Sequence, residues 1–403
     1  KPDPVFRTMR QKSAEPVMRL SIVTSAVVAA LVGFGSTIAI IIAAAQAVGA
    51  DAAQTSSWVA ALCLAMAATS GFLSIRYRMP IITAWSTPGA ALIAASAGIS
   101  IHAAVGAFLL AGGLIMLAGF VKPFGRLIER IPTPIAAAML AGVLLQFVVG
   151  VFQSAQGAPG LVLPLVGIFL VVRLFNPALA VLAVLFVGLG IAFGGGLAQP
   201  ITSDLTLSTL TFIAPAWDPT ALIGLGLPLF VVTMASQNLP GFAVLKASGY
   251  EPPSSPILAA TGFASIVTAF FGAHTSNLAA ISAAICTGPD THPDPKKRWM
   301  VGPFYALSYL VFAAFSAALI GLIGALPPEL IKTVAGLALM GAFMGALGSA
   351  LSDDTRRFPA IVTLAVTASG LTLFGIGSAF WGLAAGLITL GLDFLALALR
   401  KRA

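Results

Sequence analysis

The sequence predicts an all-α integral membrane protein of 14 transmembrane segments, arranged as two inverted seven-segment repeats. Three observations predict it: an apolar composition, a one-sided distribution of basic residues, and ordered matches between the two halves of the chain.

Of 403 residues, 59% are hydrophobic and 8% charged. A soluble domain carries about 25% charged residues, so a soluble chain of this composition would have too few polar side chains to cover its surface. Its natural solvent is the lipid bilayer. A net charge of +8 can signal nucleic-acid binding. Here the basic residues sit in short connectors between apolar runs, which is a topology signal, and no nucleic-acid partner is expected. Cys63 and Cys286 lie in apolar segments and read as free packing thiols. No signal peptide is visible, because the first 19 residues are polar and basic and the first apolar run is too long. The chain opens at Lys1 rather than Met, and a preceding stretch is expected.

The apolar runs fall near 21–48, 58–75, 80–98, 102–121, 133–152, 160–174, 177–196, 221–243, 254–271, 274–288, 300–325, 328–350, 359–376 and 378–399. Many approach the ~20 residues that cross a bilayer. With the N-terminus in the cytoplasm, 20 of the 21 Lys and Arg residues fall on the cytoplasmic side, and only Lys332 lies outside. Both termini are therefore placed inside. A longer outside stretch, 198–220, contains LTLSTLTFIAPAWDP and reads as a strand-like or interfacial linker.

The repeat is visible in the residues. LVGFGSTIAIIIAAAQ (31–46) lies over LIGLGLPLFVVTMASQ (222–237), matching Gly33 and Gly35 with Gly224 and Gly226, and Gln46 with Gln237. AWSTPGAALIAA (84–95) lies over AHTSNLAAISAA (273–284), and IPTPIAAAMLAG (131–142) resembles LPPELIKTVAG (326–336). Any one pair can arise by chance between Ala-rich helices; the shared order is what marks a repeat. Seven segments is an odd number, so the second copy enters the membrane from the opposite side. The first repeat is 1–197, the linker 198–220 and the second repeat 221–403.

The third and tenth segments are short and interrupted. MPIITAW precedes Ser86 and AFFGAH precedes Thr275, while Pro80, Pro88 and Gly272 oppose a continuous helix. Each then becomes Ala-rich, with Ser86 and Thr87, and Thr275, Ser276 and Asn277, expected at the helix start as caps. A half-helix beginning in mid-membrane points N–H groups and a positive dipole end inward. Two facing each other make an anion site without Arg or Lys. The eighth segment adds Gln237 and Asn238, with Gln46 as the first-repeat counterpart; helix–helix hydrogen bonding is the competing role for these amides. His274 is the titratable candidate, as a substrate contact or proton carrier; a neutral imidazole satisfied by a neighbouring carbonyl is the alternative.

The carboxylates map to connectors or segment ends, except Asp393, which reads as a partner for the basic tail. A pocket without a carboxylate suits an anionic substrate. Gly341-x-x-x-Gly345 reads as close packing within the chain or as a dimer contact, leaving monomer or homodimer open. The nucleotide-binding, zinc-protease and serine-hydrolase motifs are missing, so neither an ATP-driven pump nor an enzyme is expected, and no cofactor or metal is implied.

On TAWSTPGAAL (83–92), SQNLPG (236–241) and GAHTSNLAAISAAICTG (272–288), the chain resembles the benzoate:proton symporter family along essentially its whole length. Nucleobase permeases and sulfate-permease-type anion transporters share the same architecture. The resemblance implies a core domain (21–121 plus 221–325) carrying the site and a gate domain (133–196 plus 328–400). It also implies a bacterial cytoplasmic (inner) membrane and proton-coupled uptake of benzoate or a related aromatic carboxylate by alternating access. The nucleobase branch places glutamates where this chain has Gln237/Asn238 and His274/Asn277. Nucleobase transport and inorganic-anion transport or conduction remain the alternatives. Phe34, Trp85, Phe230 and Phe271 are candidate walls for an aromatic ring, each also readable as packing. A carboxylic acid with a pKa of ~4 is ionised at neutral pH. An interior-negative potential opposes its entry by roughly 2.3 kcal/mol per 100 mV, a penalty that a cotransported proton removes.

Overall fold

The computed structural model describes residues 20–96, 98–121, 132–200, 207–374 and 376–400. The N-terminal basic segment, the basic connector 122–131, residues 201–206 of the linker, and Lys401 and Arg402 of the tail lie outside the described residues. The chain is mostly helical. Among the described residues, seven helices are long and apolar enough to cross a membrane, and a bent pair makes an eighth.

The first half runs α1 (Leu20–Ala47), α2 (Ala52–Tyr77), β1 (Thr83–Trp85), α3 (Thr87–Ala94), α4 (Ile101–Phe120), α5 (Thr133–Gly157), α6 (Pro159–Phe175) and α7 (Pro177–Gly194). The second runs α8 (Pro219–Ala247), α9 (Ser254–Ala269), β2 (Ser276–Leu278), α10 (Ile281–Thr287), α11 (Val301–Ala314), α12 (Ser316–Gly324), α13 (Pro328–Ala350), α14 (Arg357–Ala368) and α15 (Ser378–Arg400).

Local chemistry explains several boundaries. α2 starts at Ala52 rather than near 58 because Asp51 and Gln54 form a reciprocal capping box: Gln54 N donates to Asp51 Oδ1 at 2.7 Å and Asp51 N to Gln54 Oε1 at 3.0 Å. Pro159, Pro177, Pro219 and Pro328 each open a helix, where a missing N–H costs nothing. α8 contains two π-helical turns, Leu222–Gly226 and Met234–Asn238. Each lies just before a proline, Pro228 and Pro240, whose missing N–H loosens the α-helical register there. The 62° break between α11 and α12 falls where Ala317 N donates to Ser208 Oγ at 2.8 Å instead of continuing the helical ladder.

Two expectations are corrected here. The described parts of the linker, 198–200 and 207–220, form no strand, and its last two residues already belong to α8. Its backbone donors are taken singly: Thr211 N by Ser57 Oγ, Ile213 N by Phe270 O and Ala216 N by His102 O. The Gly341/Gly345 pair is not a packing seam within the chain, since a Cβ at either would meet nothing within 4 Å. Close approach of α13 to α5 occurs instead at Gly336, where a Cβ would collide with Val151 and the Phe147 carbonyl.

β1 and β2 pair antiparallel, with Thr83 opposite Leu278, Ala84 opposite Asn277 and Trp85 opposite Ser276. Ser86 N to Thr275 O (3.1 Å) and Ala279 N to Ile82 O (2.9 Å) extend the pairing at both ends. This two-stranded ribbon is buried among helices from both halves, where non-helical backbone is tolerated because each strand satisfies the other.

Candidate functional site

The strand pair organises the polar residues that the sequence singles out. Ser86 caps α3: its Oγ accepts from Gly89 N at 3.1 Å, and its carbonyl accepts from Ala90 N at 2.8 Å. Thr87 is the first helical residue and is half-buried. Thr275, Ser276 and Asn277 are not helix caps. Ser276 and Asn277 lie in β2 and Thr275 just before it, and α10 begins only at Ile281. Strand pairing with β1 holds their backbone extended beyond the point where helix was expected. The strands correspond with an offset of 193 residues (83 to 276), against 189 in the sequence match (84 to 273).

A ring of fully buried polar groups surrounds the ribbon. His274 accepts from Trp58 Nε1 at its Nδ1 (3.1 Å), and its Nε2 lies 3.0 Å from Ser86 O. An indole N–H is only a donor, so Nδ1 is unprotonated and the Nε2–H donates to the carbonyl. Thr275 shares a hydrogen bond with Thr233 of α8 at 2.7 Å. Asn238 Oδ1 accepts from Leu278 N at 3.0 Å, and Asn277 Nδ2 donates to Leu278 O at 2.8 Å. Ser276 N donates to Ser265 Oγ of α9 at 2.8 Å. Two buried atoms here, Ser276 Oγ and Asn277 Oδ1, have no hydrogen-bond partner among the described residues. The expected pair of open helix N-termini is also modified. Pro88 supplies no N–H and that of Gly89 is taken, so what α3 offers inward is mainly its dipole.

Two cavities flank the antiparallel α5–α13 pair, one toward each end. The smaller, about 270 Å³, is lined by Pro88 at the start of α3, Ser236 and Gln237 of α8, Thr133 of α5, and Gly345 and Ser349 of α13. Its remaining walls are apolar, mostly alanine. A few polar groups on apolar walls suit a small amphiphilic ligand, and the volume is near the lower end of ligand sites (~300 Å³). The larger, about 750 Å³, is lined by Gln46 of α1, Gln146 and Gln153 of α5, and Glu329 and Lys332 of α13.

The structure therefore divides the predicted residues. Gln237 faces the smaller cavity and Gln46 the larger, so these sequence-matched glutamines do not share a site. Ser86, Asn238, His274, Thr275, Ser276 and Asn277 are fully buried in the ribbon network behind the smaller cavity. The candidate ring walls pack mainly on one another and their neighbours. Phe34 and Trp85 meet edge-on at 5.7 Å, Phe34 also meets Phe312 at 4.6 Å, and Trp85 Nε1 donates to Thr37 Oγ1 at 2.9 Å. Phe230 is buried and Phe271 half-buried. Sequence reasoning passed over Thr133, Ser236 and Ser349, which look like ordinary helix-surface hydroxyls. It also passed over Gln146 and Gln153, whose seven-residue spacing puts both amides on one face of α5. Cys63 and Cys286 are buried free thiols, as expected.

Comparison with known proteins places this arrangement. The model of the benzoate membrane transport protein family matches residues 17–392. Inner membrane protein YdcO of Escherichia coli (strain K12) is 42% identical over 361 residues, covering 89% of this chain and 92% of that protein. The benzoate membrane transport protein of Acinetobacter baylyi is 37% identical over 370 residues, covering 92% and 94% respectively. Among solved structures, SLC26A9 superposes with a TM-score of 0.65 at 14% identity, over 93% of this chain. The chain spans 65% of that protein, just under two thirds of it. The transmembrane domain of the cyanobacterial bicarbonate transporter BicA superposes with a TM-score of 0.57 at 14% identity, over 91% of this chain and 97% of that domain. At this identity the structural likeness speaks to fold alone. The sequence matches, running over nearly all of both partners, make this chain a member of the benzoate membrane transport protein family.

Proposed function

We propose that the protein is a secondary transporter that takes up benzoate or a closely related aromatic carboxylate together with a proton, by alternating access. It sits in the bacterial inner membrane with both termini cytoplasmic. Its 14 segments form two inverted repeats, grouped into a core (21–121 plus 221–325) and a gate (133–196 plus 328–400). The observation that carries this reading is the smaller cavity. It lies between the α3 start and Gln237 on the core side, and α5 and α13 on the gate side.

The carboxylate end is oriented by the positive end of α3 and by donors from Gln237 and Thr87; the Ser236 hydroxyl, which donates to Val232 O, lines the same wall. The ring lies against the alanine-rich faces of α5 and α13. Asn238, His274, Thr275, Ser276 and Asn277 act behind this surface, fixing the ribbon that aims α3. Sliding of core against gate exchanges the open end of the cavity, and the small residues of α5 and α13 permit it. A proton carried with the anion makes the step electroneutral, which removes the opposition of the membrane potential.

Uptake of radiolabelled benzoate into proteoliposomes, with and without an inward proton gradient, tests the reading. Accumulation that depends on the gradient and collapses with an uncoupler is expected. Uptake indifferent to both would refute the coupling. Absence of benzoate uptake by folded protein, with uptake of uracil or bicarbonate in its place, would overturn the substrate.

A further inference from the structure

The larger cavity is unused by the reading above, and its chemistry differs from that of the smaller one. It is nearly three times the volume, about 750 Å³ against 270 Å³. It also contains charge. Lys332 is the single basic residue that the positive-inside count leaves on the outer face, and it is exposed into this cavity. Glu329 precedes it by one turn of α13. The two make no ion pair within 4 Å, and among the described residues ion pairs occur only at Asp353–Arg356 and Asp354–Arg357. Glu329 sits in the first turn of α13, where the helix dipole stabilises a carboxylate, and so does not need the lysine. Gln46, Gln146 and Gln153 add amides from two other faces.

We propose that this cavity is an outer vestibule that holds the anionic aromatic carboxylate before it reaches the smaller cavity, with Lys332 as its charge contact. The proposal rests on the transport reading above. The ammonium group meets the carboxylate, and the glutamine Nε2 groups donate hydrogen bonds to it. The apolar flanks of α1 and α5 accept the ring. Because Glu329 balances the charge of Lys332 at long range, the effect is local capture rather than a field reaching into solution. It therefore appears in the KM for external substrate and leaves the maximal rate nearly untouched.

The test is initial-rate benzoate uptake by right-side-out membrane vesicles carrying Lys332→Cys. The KM is expected to rise about fivefold, with the maximal rate within about twofold of the parent. The native cysteines are both buried, so impermeant thiosulfonates added outside react at position 332. A trimethylammonium-ethyl reagent should restore the KM by returning a positive charge, and a sulfonatoethyl reagent should raise it further. Glu329→Gln should lower the KM, an opposite shift that misfolding cannot produce. An unchanged KM in Lys332→Cys, or identical effects of the two reagents, overturns the vestibule while the transport reading stands. If the parent protein takes up no benzoate at all, the transport reading fails and this proposal falls with it.

Discussion

Trp58 Nε1 donates to His274 Nδ1 at 3.1 Å, and this bond joins α2 to the residue that leads into β2. With the Nε2–H on the Ser86 carbonyl, both ring nitrogens are occupied and the imidazole is locked in one neutral tautomer. Protonating Nδ1 would break the Trp58 bond and leave a charge in a fully buried site. A structural histidine is therefore expected in place of a proton carrier. His274→Ala should lower stability by about 2–4 kcal/mol, since it leaves the buried indole N–H unpaired, removes one of the two donors to the Ser86 carbonyl and opens a void. The milder His274→Gln should keep enough folded protein to give a transport–pH profile that overlays the parent. A flattened profile in that variant would return His274 to the proton path.

Gly345 offers a direct test of the smaller cavity. A Cβ there meets nothing within 4 Å, so a larger side chain grows into the void without disturbing its neighbours. Gly345→Leu should leave the thermal melting temperature in detergent unchanged or raise it, since glycine is costly inside a helix by about 1 kcal/mol. Transport should fall more than about tenfold, because the added chain occupies the volume the ring needs. Normal transport by a folded Gly345→Leu protein would place the substrate elsewhere.

Asn277 separates a structural from a transport role by a different route. Its Nδ2 bonds Leu278 O, whereas its Oδ1 is buried without a partner. Removing the amide loses one modest hydrogen bond and also removes one unsatisfied acceptor, and these are of similar size. Asn277→Ala should therefore alter stability by less than about 1 kcal/mol. Any large loss of benzoate binding, read by calorimetry on the purified protein, would then report function rather than folding. Asn238→Ala is the contrast: it strips the acceptor from Leu278 N in the buried ribbon and should destabilise by about 1–3 kcal/mol.

The membrane class and most helix positions were legible because they follow from apolar run length, which one sequence contains in full. The interruptions near Ser86 and His274 were legible from Pro80, Pro88 and Gly272; the last adopts φ +90 on the way into β2. What the residues could not reveal was the strand register. Pairing of Thr83 with Leu278 joins parts of the chain nearly two hundred residues apart, and only that long-range contact decides that Thr275–Asn277 stay extended. The same limit separated Gln46 from Gln237. They align in sequence, yet which cavity each faces depends on helix packing. Lys332 was counted as a topology marker, and nothing in its neighbours signalled a cavity beside it.

Arg298 gives the last prediction, and it concerns how α10 is held. The guanidinium is buried on the connector after α10 and points its donors at main-chain carbonyls: Nη1 to Thr287 O at 2.7 Å, Nε to His292 O at 2.7 Å and Nη2 to Pro293 O at 3.4 Å. Thr287 ends α10, so the cation also meets the negative end of that helix dipole. Tyr250 closes the cluster, its hydroxyl donating to Pro295 O at 2.9 Å, and burial raises its pKa above the usual tyrosine value. A lysine cannot reproduce this, because a single ammonium lacks the planar fork that reaches three carbonyls. Arg298→Ala should cost about 3 kcal/mol by leaving several buried carbonyls unpaired, and Arg298→Lys should recover less than half of that. Thermal melting in detergent reads both. Equal melting of Arg298→Lys and the parent would mean that charge at the helix end suffices and the fork geometry does not matter.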